Sequence, residues 1–295
     1  MFLQDVQHLV PVSSRQERET YFELETNDKP LAIKVMAALD RQYHSRHFAD
    51  ALSDFLSSTA TELFYEGQII IDLKADYTDF EWKVTSLKPS ASQIASIGPL
   101  LVQFLPEREN SSFGEDLKTL PSEIRILDQK TLLRIELPAN LKRLRTKLLK
   151  RLDLLSGLAY PDIEKLFPRT SLENPNPRSN AFDFFMFKKN FDVALFQTIR
   201  ETGWMARDYT GDEKSDFLTS VWRLRFRKLQ ASLRMDIIRQ LNEQIPKIIR
   251  HFNPDFEMAI MEQGMLTPAD LDDMERQLYE GEISFKEVID STFNR

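Results

Sequence analysis

The sequence predicts an α+β protein: an N-terminal helix and β-hairpins, followed by a predominantly helical half built around a long αα-hairpin. Three observations lead there. Up to Gly67, apolar residues recur at three- and four-residue intervals, the period of one helix face. Between Ile69 and Leu137 the chain changes to short runs of β-branched and aromatic residues, the composition of strands. Beyond Pro138 those runs stop, and leucine and phenylalanine return at helical spacing.

Taken in order, residues 20–26, with Tyr21, Phe22 and Leu24, read as a short edge strand. Asn27 and Asp28 then offer an N-cap to a long helix that carries Pro30 in its first turn. Its stripe of Met36, Leu39, Tyr43, Ala51, Leu52, Phe55, Leu63 and Phe64 is expected to continue to Glu66, where Gly67 stops it. Ile69–Leu73 and Phe80–Leu87 are expected to form a hairpin about an Asp76–Asp79 turn. Ile124–Leu127 and Leu132–Leu137, separated by Asp-Gln-Lys-Thr, repeat that arrangement, and the Glu107–Lys118 segment between the pairs reads as a polar loop.

Residues 139–156 read as an amphipathic helix with Leu141, Leu144, Leu148, Leu152 and Leu155 on one face. Pro161, Pro168, Pro175 and Pro177 break the pattern. Two long helices, 182–208 and 213–250, then form an αα-hairpin about the turn at 208–212, and Pro246 is expected to kink or end the second arm. Thr267-Pro268-Ala269-Asp270 opens a short acidic helix, which Gly281 separates from a terminal segment, Glu282–Phe293.

Charge divides the chain into three. Residues 1–137 carry 14 basic and 22 acidic groups, 138–250 carry 22 and 13, and 251–295 carry 3 and 11. The expected domains follow these limits: an α+β domain at 1–137, a basic helical domain at 138–250 and an acidic helical tail at 251–295. A basic middle between acidic ends suits nucleic acid, but it suits its own acidic segments equally well, and the latter is the plainer reading.

The residue inventory excludes much chemistry. With no cysteine there are no disulfides, thiolate metal sites or cysteine nucleophiles. The eight glycines are too widely spaced for a phosphate-cradling loop or a nucleophile elbow. Neither a signal peptide nor an 18-residue apolar run is present, so an intracellular or virion-associated protein without membrane contact is expected. His44 and His47, with Asp40 one turn earlier, have permissible metal spacing, but His47 lies on the apolar stripe and reads better as a half-buried side chain. No cofactor and no metal are expected.

One pattern is enzyme-like. Asp72 on one strand, then Glu81-Trp82-Lys83 on the next, resembles the nuclease family whose motif is an Asp followed by Glu-x-Lys. That resemblance implies a Mg²⁺ held by Asp72 and Glu81, with Lys83 steadying the attacking water. A solvated ion pair across the strand is the simpler account.

Two helical faces are strongly basic: Lys142, Arg143, Arg145, Lys147, Lys150 and Arg151, then Arg223, Arg225, Arg227 and Lys228. Such faces suit non-specific contact with a phosphate backbone, or a charged interface between subunits. The aromatic residues Phe184, Phe187, Phe191, Trp204 and Trp222 fall on more than one side of their helices, which fits burial against two neighbours, one from another copy of the chain, and fits equally a helix central to one domain.

The order of these elements resembles the wing, stem and crown of phage portal proteins. The stretches Ile199-Arg200-Glu201-Thr202-Gly203-Trp204 and Trp222-Arg223-Leu224-Arg225-Phe226 carry most of that likeness. The resemblance implies a non-enzymatic, oligomer-forming structural protein of a capsid-like particle. Its expected partners are copies of itself, other assembly proteins and non-specifically bound DNA.

Overall fold

The computed structural model describes residues 2–11, 20–39, 48–78, 80–89, 94–97, 100–106, 121–147, 192–193, 196–205 and 215–293. It is of the α+β class. The chain divides into two compact units: Met1–Leu137 with Gln230–Pro268 and Phe293–Arg295, and Pro138–Leu229 with Ala269–Thr292. The units cut across the charge segments, because the basic middle and the acidic tail each contribute to both.

In the first unit, α1 (Phe2–Val6) sets Phe2 edge-on against Phe64, with ring centres 5.4 Å apart. The edge strand forms as β1 (Phe22–Thr26). Asp28 caps α2 (Lys29–Leu39) by accepting the Leu31 N–H at 3.1 Å. A second helix, α3 (Phe48–Glu66), buries Leu52, Phe55, Leu56, Leu63 and Phe64 before Gly67 turns the chain at φ 89°. Residues 40–47 between them, which include Asp40, Tyr43, His44 and His47, lie outside the described residues.

The first predicted hairpin is β2 (Gln68–Thr78) with β3 (Glu81–Leu87). Pairing runs out to Thr78↔Glu81, so Asp76 lies within the ladder, opposite Lys83, and not in the turn. Phe80 takes φ 62°, the sign that tight hairpin turns demand. The second predicted hairpin does not form. Although β6 (Pro121–Leu127) and β7 (Leu132–Glu136) are joined by an Asp128 turn, β7 pairs with β2, giving a sheet of order β3-β2-β7. Strand β6 pairs instead with β5 (Leu100–Pro106), which also pairs with β4 (Ile94–Ile97), so the second sheet has the order β4-β5-β6. Neither β4 nor β5 was expected from the sequence. Ile70 and Leu132 of one sheet and Leu101, Leu127 and Ile94 of the other share one apolar cluster.

The strand signal returns after Pro138, contrary to expectation, at β8 (Met258–Glu262), which pairs antiparallel with β1 from Phe22↔Glu262 to Thr26↔Met258. The long helix α4 (Asp216–Ile249) passes Pro246 without ending there, and its residues from Gln230 onward belong to this unit. Three amides of α4 act as strand residues. Gln240 and Gln244 each accept a backbone N–H of β7 and donate to the carbonyl of the same residue: Glu136 at 2.9 and 2.9 Å, Arg134 at 2.9 and 2.6 Å. Asn242 does the same for Ile260 of β8, accepting at 2.8 Å and donating at 2.9 Å. A helix cannot extend a sheet through its own backbone, but a primary amide carries the same donor and acceptor as a peptide group. These contacts satisfy backbone groups at the outer edges of β7 and β8.

In the second unit, residues 139–147 and 196–202 are helical. Residues 192–193 are helical too, while the predicted continuations to 156 and over 182–191 and 194–195 lie outside the described residues. The first arm of the expected αα-hairpin ends at Gly203 instead of near 208. Gly203 has φ 73°, and a Cβ there would stand 2.2 Å from the Trp222 carbonyl oxygen and 2.7 Å from the Phe226 nitrogen. Only glycine permits both the conformation and the approach to α4. The predicted acidic helix forms as α5 (Pro268–Glu280), and α6 (Phe285–Phe293) follows Gly281. Ser284 and Glu287 make a capping box: the Glu287 N–H reaches Ser284 Oγ at 3.3 Å, and Glu287 Oε2 accepts the Ser284 N–H at 2.6 Å. Those bonds, chiefly the one from the Ser284 backbone, hold the Glu287 carboxyl below its usual range. Phe217 of α4 meets Tyr279 and Phe285, with ring centres at 5.1 and 6.4 Å.

Candidate functional site

The three residues of the nuclease-like pattern do not converge. Asp72 stands opposite Leu87 in the β2–β3 ladder, whereas Glu81 stands opposite Thr78, six strand positions further along β2. That separation is roughly 20 Å at about 3.4 Å per residue. Lys83 stands opposite Asp76, and it shares a face with Glu81 as expected. Asp72 is buried, accepts the Thr131 hydroxyl at 2.6 Å and faces Arg125 of β6 at 3.5 Å, so its charge is used between the sheets. The exposed Glu81 pairs with Lys34 of α2, and the Lys34 hydrogen bond, with its charge, holds the carboxyl below the usual range. Among the described residues no group of three histidine, aspartate or glutamate side chains is arranged to hold a metal ion.

The basic middle finds acidic partners within its own unit. In the second unit Arg225 bonds Glu275 at 2.9 Å, Lys228 pairs with Asp272, both carboxylates lying on α5, and Lys147 meets Glu201 at 3.4 Å. In the first unit Arg234 is almost fully buried. It donates to Glu262 at 2.9 Å and to the Leu9 and Leu266 carbonyls at 2.9 and 3.0 Å. Arg239 bridges Asp236 and Glu243, whose hydrogen bonds raise its pKa. Burial lowers the Arg223 guanidinium, and Arg227 is half-buried. Lys142 and Arg143 are exposed and Arg145 is half-buried, while Lys150 and Arg151 lie outside the described residues.

The aromatic residues expected at an interface between copies divide differently. Trp204 is buried in the second unit, its backbone N–H bonded to the Thr202 hydroxyl at 3.0 Å, and Trp222 is half-buried where α4 passes Gly203. Trp204 is therefore a core side chain rather than a surface one. Phe184, Phe187 and Phe191 lie outside the described residues.

A cavity of about 500 Å³ in the first unit lies beside Asn27, Asn242, Lys247 and Arg250. Much of its polar lining is engaged in holding the walls together: Asn27 accepts the Glu257 N–H, Thr26 donates to the Glu257 carbonyl, Asn242 holds Ile260, and Arg250 donates to the Phe256 carbonyl.

The surface that stands out is one that the sequence did not signal. The registers Ile97↔Leu100, Ala95↔Val102, Val102↔Ile126 and Phe104↔Ile124 put these side chains on one face of the β4-β5-β6 sheet. The opposite face carries Leu101, Leu127 and Ile94 of the shared apolar cluster, together with Arg125. On the outer face Val102 is covered, but Ile97, Leu100, Ile124 and Ile126 are 56, 47, 61 and 63% exposed. The exposed pairs Ile97 with Leu100 and Ile124 with Ile126 flank the covered Val102, and apolar residues grouped on one face mark interaction surfaces more often than scattered ones do. Among the described residues, moreover, β6 pairs with β5 alone.

No protein-family model matches the chain, and no curated protein matches it. Among the described residues no helix is long and apolar enough to cross a membrane.

Proposed function

We propose that this chain is a non-enzymatic structural protein that assembles with copies of itself. The observation that carries the reading is the exposed aliphatic side chains on the outer face of the β4-β5-β6 sheet, beside a strand edge that has no partner among the described residues. Burying such a face stabilises association by roughly 25 cal/mol for each Å² of apolar surface removed from water. An open apolar edge left in solution would invite indiscriminate pairing. The engagement of Arg225, Lys228, Arg234 and Arg239 with carboxylates of the same chain also favours a structural role over one centred on nucleic acid. The likeness of the element order to phage portal proteins suggests a capsid-like assembly as the setting, in which DNA contact is weak and arises from the exposed Lys142 and Arg143. Native mass spectrometry and sedimentation across a micromolar concentration range test the reading. Discrete oligomers are expected, and a strictly monomeric chain would overturn it.

A further inference from the structure

We propose that the cavity between α4 and the β1–β8 sheet binds a small zwitterion that carries an amide, an amino acid or short peptide, whose amide pairs with the backbone of Met258. This goes beyond the assembly reading and uses none of its surfaces. The amides of α4 set the pattern. From Gln240 to Gln244, one turn of helix, the partner on β7 moves two residues, from Glu136 to Arg134. Four helical residues rise about 6 Å and two strand residues about 6.6 Å, so the two repeats nearly match. On β8 the first rung is Asn242 with Ile260, and the same step leads to position 246 and Met258. Position 246 is proline, whose side chain carries neither donor nor acceptor. The rung at Met258 thus takes no partner from α4.

Glu257 turns its N–H and carbonyl to Asn27 and Thr26, on the β1 side, and Ile260 turns its own pair to Asn242. Alternation along an antiparallel strand puts the Met258 pair on the Ile260 side. Met258 is only 6% exposed, and among the described residues its N–H and carbonyl find no hydrogen-bond partner on that side. Pro246 also brings no N–H to the Asn242 carbonyl one turn back. Buried backbone groups are nearly always paired, and a cavity of about 500 Å³ lined by Asn242, Pro246 and Met258 admits a ligand that pairs them. The charges of the lining choose the ligand class. Glu243 is taken by Arg239, and Arg250 by Glu257 at 3.6 Å. Lys247 and Glu25 form no ion pair, which leaves one cation and one anion at the cavity wall. That combination suits a ligand carrying both a carboxylate and an ammonium.

Titration calorimetry on the full chain with L-glutamine, diglycine and norleucine tests this. Glutamine carries the amide in its side chain, diglycine carries it in its peptide bond, and norleucine is a zwitterion of similar length without one. Saturable binding of glutamine or diglycine is expected, and the better binder tells a free amino acid from a peptide. Norleucine should bind roughly tenfold more weakly or not at all, since a site built to pair an amide rejects the analogue that lacks it. Lys247→Ala and Glu25→Ala, both at exposed positions, should each raise Kd severalfold with an unchanged far-ultraviolet spectrum. Pro246→Gln supplies the amide from the chain itself, so it should abolish binding and raise the urea midpoint. If neither glutamine nor diglycine binds, the cavity holds water only and the proposal falls. Equal binding of norleucine, or binding untouched by both Lys247→Ala and Glu25→Ala, overturns it as well.

Discussion

The two three-stranded sheets of the first unit treat their edges in opposite ways. In the β3-β2-β7 sheet, β7 is closed by Gln240 and Gln244, and β3 is attended by α2, from which Lys34 donates to the Trp82 carbonyl at 2.7 Å. In the β4-β5-β6 sheet, by contrast, β6 has no such cover among the described residues, and its outer face is aliphatic. Both sheets contribute to one apolar cluster, so the difference does not reflect core against periphery. It lies in whether a helix supplies side chains that can imitate a strand. Where it does, the edge is closed by side chains of the same chain; where it does not, the edge has no such cover among the described residues.

The largest effect should come from breaking the tie that holds β8 to the rest of the covered side. Arg234→Ala leaves the partly buried Glu262 without its cation and the Leu9 and Leu266 carbonyls without this donor. A loss of about 3–5 kcal/mol in urea unfolding is expected, the usual cost of removing one partner of a buried pair. Next come the amides that cover β7. Gln240→Leu and Gln244→Leu keep the side-chain bulk but leave the backbone of Glu136 or Arg134 unpaired, and each should cost about 1–3 kcal/mol.

The open sheet should behave in the opposite way. Replacing Ile124 and Ile126 together by threonine, which keeps β-branching, should change the unfolding free energy of the monomer by no more than about 0.5 kcal/mol for each residue, as for surface positions generally. A large loss in the monomer would mean that these side chains belong to a core, which would cancel the contrast. The smallest effect concerns Lys34 and Glu81. The Glu81 pKa is lowered in the folded chain, so its contribution is present above the unfolded value and is lost as pH falls through the folded one. Glu81→Gln should therefore remove a slight acid-side dependence of stability and leave neutral-pH stability almost unchanged, because the pair is exposed. Paired urea titrations near pH 7 and in the acid range would show it.

The parts of this fold that are local were legible in the sequence. The Asp28 cap, the stripe that ends at Gly67, the β2–β3 hairpin and the start of α5 each depend on residues a few positions apart. What was not legible depends on distant partners. A short turn at Asp128 makes β6 and β7 look like a hairpin, yet β7 pairs with β2, some sixty positions earlier. Strand β8 is short and is completed by β1, from the far end of the sequence. Gln240, Asn242 and Gln244 read as ordinary polar helix positions until the two strands are placed beside them. The candidate site was missed for a related reason. Ile124 and Ile126 carry the same strand signal whether their face is covered or open, and the sequence does not say which. The nuclease pattern failed on register: a shared face was readable, but the distance from Asp72 to Glu81 was not.

The amides on α4 carry a chemical consequence for an ageing protein. Deamidation replaces an NH₂ group by an oxygen and leaves the shape of the side chain almost untouched. At Gln240, Asn242 or Gln244 that change would convert the donor aimed at a backbone carbonyl into a second acceptor carrying negative charge. One atom would thus turn an attraction into a repulsion at a strand edge. Hydrolysis of any one of these three amides would take away the donor that covers an edge of β7 or β8.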